Sequence, residues 1–204
     1  MTHPAVRVTV ALLALVLLGA LVGVAAEGIT VKDDFGQDNP KWKFVTGKWL
    51  RRTADGRPVL AQTVETQPWA VALLEAQTFS DVDVSVRFRP ISGKEDASGG
   101  IILRARDGQN YLLVRANALE NNFRLYTLIN GTRRTLASAR VTEPKLGAWH
   151  TLRVTATGPR IQAWPDGAAL LDHKDTTYTR GFIGLWTKAD SVTEFADLTA
   201  TGAP

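Results

Sequence analysis

From Val59 to the C-terminus, apolar and polar residues alternate with a period of two, and no stretch repeats its apolar positions at the spacing of an amphipathic helix. The clearest case is Val82–Arg89. Val82, Val84, Val86 and Phe88 project to one side there, and Asp83, Ser85, Arg87 and Arg89 to the other. Such a strand is half-buried. The same reading places strands at Trp69–Glu75, Ile101–Arg106, Tyr111–Ala118, Phe123–Ile129, Thr151–Thr157, Arg160–Trp164, Gly181–Thr187 and Thr193–Thr201. Asp107-Gly108, Asn130-Gly131 and Asp166-Gly167 supply turns between them. Many short strands joined by hairpin turns predict an all-β sandwich or barrel with antiparallel sheets. Asn130-Gly131-Thr132 also has the form of a glycosylation acceptor, but a two-residue hairpin turn accounts for it.

The N-terminus breaks this pattern. Arg7 precedes an apolar run from Val8 to Val24, which ends at Ala25-Ala26-Glu27, the layout of a signal peptide cleaved after Ala26. Residues 1–26 are therefore expected to be a signal peptide and residues 27–204 one domain, secreted or periplasmic. A run kept as a membrane anchor is the alternative. No later segment approaches a membrane span, so no stable membrane insertion is expected after cleavage. The chain has no Cys, which excludes thiol chemistry and Cys-based zinc sites, and an exported domain of this length must hold together by its hydrophobic core alone. The net charge of +4 comes from Lys and Arg scattered among acids, which speaks against a nucleic-acid partner.

Several motifs carry a resemblance to a known family. They are Asp34-Phe35, Trp42, Gly47-Lys48-Trp49, Asp55-Gly56, Ser98-Gly99-Gly100-Ile101-Ile102-Leu103-Arg104-Ala105, Asn110-Tyr111, Trp149-His150-Thr151-Leu152, Asp166-Gly167 and Gly181-Phe182-Ile183-Gly184-Leu185-Trp186. The chain resembles the concanavalin A-like (LamG-like) jelly rolls of the 3-keto-disaccharide hydrolase or family 16-like type. The resemblance implies a jelly-roll sandwich of two antiparallel sheets, one of them curved, with sugar bound across the concave sheet. Leu112, Val114, Ala116 and Ala118 are expected to fill the core, with Tyr111, Leu113, Arg115 and Asn117 on the opposite face.

Arg115 to Asn122 is the densest group of hydrogen-bonding side chains in the sequence. A sugar hydroxyl both donates and accepts, so amides, carboxylates and guanidinium groups are its usual ligands, and the C–H face of a pyranose stacks on flat rings. Carbohydrate is the expected partner, with Arg104, Tyr111, Arg115, Asn117, Glu120, Asn122, Tyr126 and Trp186 as binding residues. The competing reading makes Asn121 and Asn122 turn residues and pairs Glu120 with a neighbouring Arg. Trp42, Trp49 and Trp149 are read as packing residues.

A glycosidase needs two carboxylates about 5–5.5 Å apart, or about 6.5–9.5 Å apart for inversion. The Glu-x-Asp-x-Glu strand motif of family 16 glucanases is absent. Glu120 is the best acid candidate, followed by Asp107, Glu75 and Asp190, with His150 or His173 as a base. Because jelly rolls of this type lay their first and last strands side by side, Asp34 and Asp197 are candidates for a structural calcium site. The expected function is a lectin-like domain. A glycoside hydrolase and a protein-interaction domain are the alternatives.

Overall fold

The computed structural model describes residues 28–204, so the expected signal peptide and its cleavage site lie outside the described residues. Fifteen strands run through them: β1 (Ile29–Asp33), β2 (Trp42–Thr46), β3 (Trp49–Ala54), β4 (Arg57–Gln62), β5 (Thr66–Phe79), β6 (Asp81–Ser92), β7 (Ser98–Asp107), β8 (Asn110–Asn117), β9 (Asn122–Ile129), β10 (Thr132–Arg140), β11 (His150–Thr157), β12 (Arg160–Pro165), β13 (Leu171–Lys174), β14 (Gly181–Ala189) and β15 (Val192–Ala203). All pairings are antiparallel. One sheet has eight strands in the order β13-β12-β11-β6-β15-β4-β3, with β1 also on β15, and the other has seven in the order β10-β9-β8-β7-β14-β5-β2. This is the jelly-roll sandwich that the alternation and the resemblance led us to expect.

Every strand expected from the alternation is present. Val82, Val84, Val86 and Phe88 of β6 are buried between the sheets, while Asp83 pairs with Arg153 of the neighbouring strand on the outside. Ala118 differs from expectation. It falls one residue past β8 and is only half-buried, because the chain has already begun to turn. The first and last strands do lie side by side, Asp33 opposite Leu198. The β9–β10 hairpin turns on Asn130 (φ 48°) and Gly131 (φ 75°), both left-handed as a two-residue turn of this kind requires.

The main core fills the space between the sheets and includes Trp42, Trp49, Phe88, Val114, Phe123 and Phe195. A second apolar cluster lies on the other face of the seven-stranded sheet, where Val71, Leu73, Ile102, Tyr111, Leu113, Leu128 and Trp186 are all buried. A flat sheet would leave such a face to water. This one is curled: Arg133 of β10 and Trp69 of β5 sit five strand spacings apart, or about 24 Å in a flat sheet, yet the Arg133 guanidinium carbon lies 5.7 Å from the Trp69 ring centre. At the same end, the β7–β8 turn comes against the edge strand β2, where a Cβ added to Gly108 would stand 2.5 Å from a methyl of Val45. The concave face is therefore a trough filled by its own side chains, with Ile102, Tyr111, Leu113 and Trp186 all 0% exposed.

Candidate functional site

Strand register determines what lies across the trough. On β8 the residues Leu112, Val114 and Ala116 enter the core, and Tyr111, Leu113, Arg115 and Asn117 take the trough side, as expected from the alternation. Opposite Arg115 stands Arg124 of β9, and on its other side Gly100 of β7, which in turn pairs with Trp186 of β14. One row thus reads Arg124, Arg115, Gly100, Trp186, Val71 from strand to strand. Gly100 keeps the space between arginine and indole clear. A Cβ there would lie 2.8 Å from Leu113 and 2.9 Å from the Val114 carbonyl oxygen. The next row runs Tyr126, Leu113, Ile102, Gly184, Leu73 and is almost wholly apolar.

Polar side chains gather where β8 passes into β9. Arg115, 2% exposed, donates from Nη2 to Glu120 Oε2 at 2.8 Å, and Asn122 Nδ2 donates to the same oxygen at 2.7 Å. Burial works to raise the Glu120 carboxyl. The hydrogen bonds from Arg115 and Asn122, with the positive charges of Arg115 and Arg124, outweigh it and hold the group down at about 2. Glu120 is thus an anion and a hydrogen-bond acceptor at neutral pH, and it has no proton to give as a general acid. Burial pushes the Tyr111 hydroxyl in the opposite direction, above its ordinary range, so it stays protonated. Arg124 donates to the Tyr126 hydroxyl at 3.4 Å, and Arg133 lies over the Tyr126 ring, 4.6 Å from its centre.

Several of these groups have hydrogen-bonding capacity to spare. Arg115 Nε and Nη1, Asn117 Nδ2, Asn122 Oδ1 and Arg133 Nη1 are buried and find no partner among the described residues, while the Tyr111 hydroxyl and the Trp186 indole N–H lie close to each other. Buried polar atoms of a folded domain are nearly always paired, so a cluster of exceptions on one face calls for an explanation. Asn117 is only partly available, since its Oδ1 accepts from the backbone N–H groups of Ala97 and Leu119 and holds the strand ends together.

Of the eight expected binding residues, Tyr111, Arg115, Asn117, Glu120, Asn122, Tyr126 and Trp186 are brought to this face or its rim. Arg104 is not. It sits at a β-bulge with a left-handed φ of 49°, which interrupts the alternation and turns its side chain to the end of the sandwich. There it donates to the carbonyl oxygens of Ser80, Tyr178 and Gly158. The periodicity also passed over three residues: Arg124 and Arg133, which lie within reach of Tyr126, and Trp69, whose ring centre is 6.3 Å from that of Trp186. Arg124 was legible from its place two residues before Tyr126. Arg133 was not, because it lies on a polar edge strand.

The remaining acid and base candidates are taken up by local structure. Glu75 pairs with Lys43, Asp107 accepts from Gln109 N and Asn110 Nδ2, and Asp190 accepts the N–H groups of Lys94, Glu95 and Asp96. His150 Nδ1 is 2.8 Å from Asp166 Oδ2, away from the trough, and His173 lies on β13 of the other sheet. Asp34 and Asp197 do line one shallow cleft, together with Lys32. Asp34 Oδ1 already accepts the Gly36 N–H, and Asp197 faces Arg87 at 3.2 Å and Arg57 at 3.9 Å. Among the described residues no group of three or more His, Cys, Asp and Glu is arranged to hold a metal ion. No helix among them is long and apolar enough to cross a membrane.

Solved structures share this architecture. The carbohydrate binding module CBM66 from Bacillus subtilis superposes with a TM-score of 0.70 at 20% identity, covering 78% of this chain and 94% of its own. The exoplasmic/lumenal domain of VIP36, bound to calcium and Man3GlcNAc, gives 0.58 at 12% identity, over 79% and 83%. A β-glucanase from Bacillus licheniformis gives 0.59 at 10% identity, over 86% and 98%. At these identities the likeness is one of fold. No curated protein matches the chain in sequence. Residues 30–200 match the family described as the 3-keto-alpha-glucoside-1,2-lyase-like domain, and the chain belongs to that family.

Proposed function

We propose that this domain binds carbohydrate in the trough of its seven-stranded sheet and does not cleave it. The observation that carries the reading is the set of polar atoms without partners on Arg115, Asn117 and Asn122, lying beneath the half-buried rim of Glu120, Asn122 and Arg124. A sugar supplies what these atoms lack, hydroxyl groups that both accept and donate hydrogen bonds. The family to which the chain belongs and the carbohydrate-bound or carbohydrate-binding neighbours of the same fold support this reading. With the leader-like residues 1–26 ahead of it, the domain would meet its ligand outside the cytoplasm.

The family description favours a second reading, in which the domain acts on a glycoside. Against it, the trough brings forward one carboxylate, Glu120, which is a poor proton donor and a weak base at neutral pH. A glycan array followed by incubation with each hit and product analysis separates the two. Binding without product is the expected result. Product formation would establish the second reading, and no bound glycan would leave a protein-interaction role.

A further inference from the structure

We propose, building on the carbohydrate reading above, that the ligand is an acidic glycan whose carboxylate or sulfate group is received between Arg115 and Arg124. The first argument is the chemistry of the unspent atoms. Arg115 Nε and Nη1, Arg133 Nη1 and Asn117 Nδ2 only donate, and Asn122 Oδ1 alone is a pure acceptor. A neutral hydroxyl can accept from these donors, but it also carries a proton that needs an acceptor, and Asn122 Oδ1 is the one pure acceptor on offer. The oxygens of a carboxylate or sulfate accept only, and a guanidinium binds them with charge-assisted hydrogen bonds roughly twice as strong as neutral ones.

The second argument is charge. Arg115 and Arg124 stand directly opposite each other across the β8–β9 pair, an arrangement that is destabilising for like charges unless an anion lies near both. Glu120 is that anion only in part, because it accepts from one nitrogen of Arg115, at 2.8 Å, and forms no ion pair with Arg124. Nearby, Lys188 is matched by the buried Asp96 at 3.3 Å. Arg133 has no carboxylate within ion-pair distance among the described residues, and Arg115 and Arg124 share the single charge of Glu120, so this corner carries more positive than negative charge. Glu120, Asn122 and Arg124 are half-buried and mark where a ligand enters, with Arg115 beneath them.

Titration with matched pairs tests this: oligogalacturonides against their methyl esters for the carboxylate, and dextran sulfate against dextran for the sulfate. The acidic member of at least one pair should bind about tenfold or more tightly than its neutral partner, with the difference shrinking as salt rises. Arg124→Gln should lower acidic binding about tenfold and change the melting temperature little, since Arg124 is half-buried and its one hydrogen bond, to Tyr126, is long at 3.4 Å. Arg134→Gln, on the exposed edge strand, should leave binding as it was. Equal loss from Arg134→Gln, or no loss from Arg124→Gln, would mean non-specific charge attraction and would overturn the proposal. Neutral sugars bound as tightly as acidic ones would overturn it while sparing the carbohydrate reading. Failure of every glycan on the array would remove both.

Discussion

Arg115 and Glu120 form a hydrogen-bonded ion pair at 2.8 Å at the rim of the trough, and the pair is five residues apart along the chain. The carboxyl is held at about 2, below its unfolded value of about 4.3. A depressed acid contributes stability above its unfolded pKa, and that contribution is lost as the pH falls through the interval from about 4.3 to about 2. Melting temperatures of the wild type and Glu120→Gln should therefore differ most above about pH 5 and converge towards pH 2. Parallel curves across this range would mean that the pair contributes nothing to folding.

The same substitution reports on function. An amide keeps an acceptor but loses charge, so Glu120→Gln should weaken glycan binding moderately rather than abolish it. If turnover is found and Glu120 takes part in proton transfer, the change should instead lower the rate by about 10²–10⁴-fold with binding nearly intact.

Burial on β6 alternates residue by residue, and stability should follow. Val84→Ala or Val86→Ala is expected to cost about 1–3 kcal/mol from lost burial and the cavity left behind, whereas Asp83→Ala should change stability by under about 0.5 kcal/mol. Asp83 and Arg153 are both well exposed, which limits what their pairing contributes. Chemical denaturation gives these differences directly, and similar costs at neighbouring positions would contradict the observed strand.

Arg104 provides a contrast with Arg115. Its guanidinium serves three backbone carbonyls that close the end of the sandwich, at 2% exposure. Arg104→Met should lower stability by about 2 kcal/mol or more, because those acceptors lose charged donors, while the folded fraction binds glycan as the wild type does. A selective loss of binding would bring Arg104 back into the site.

Calcium is tested by melting the protein in chelator and in millimolar calcium. Because Asp197 faces two arginines and Asp34 holds its own turn, the expected outcome is no shift. A concentration-dependent rise in melting temperature would establish a site.

The sequence made the sandwich legible wherever a strand is buried on one side. On β6 and β11 the period of two is plain, since one face meets the core and the other meets water. β7 and β8 are buried on both faces, yet on β8 the polar residues Arg115 and Asn117 alternate with Val114 and Ala116 and so told the core face from the other. β2 and β10 were not legible. Most of their residues are exposed, so neither strand shows the alternation of a buried and a solvated face. The curl was invisible too, because it brings together Arg133 and Trp69, which are 64 positions apart along the chain. Arg104 was misplaced by a single bulge, which shifts the side-chain phase by one residue without any signal in the local sequence.

β10 supplies Arg133 to the trough and is also an outermost strand of its sheet, with one row of backbone groups facing outward. An open edge of this kind is a template for another chain to extend the sheet. Arg133, Arg134 and Arg140 all lie along it, so a second copy approaching in antiparallel fashion would bring guanidinium groups against one another. The strand that closes over the concave face thereby also discourages edge-to-edge self-association, and neutralising these arginines would be felt as lost solubility before any loss of fold.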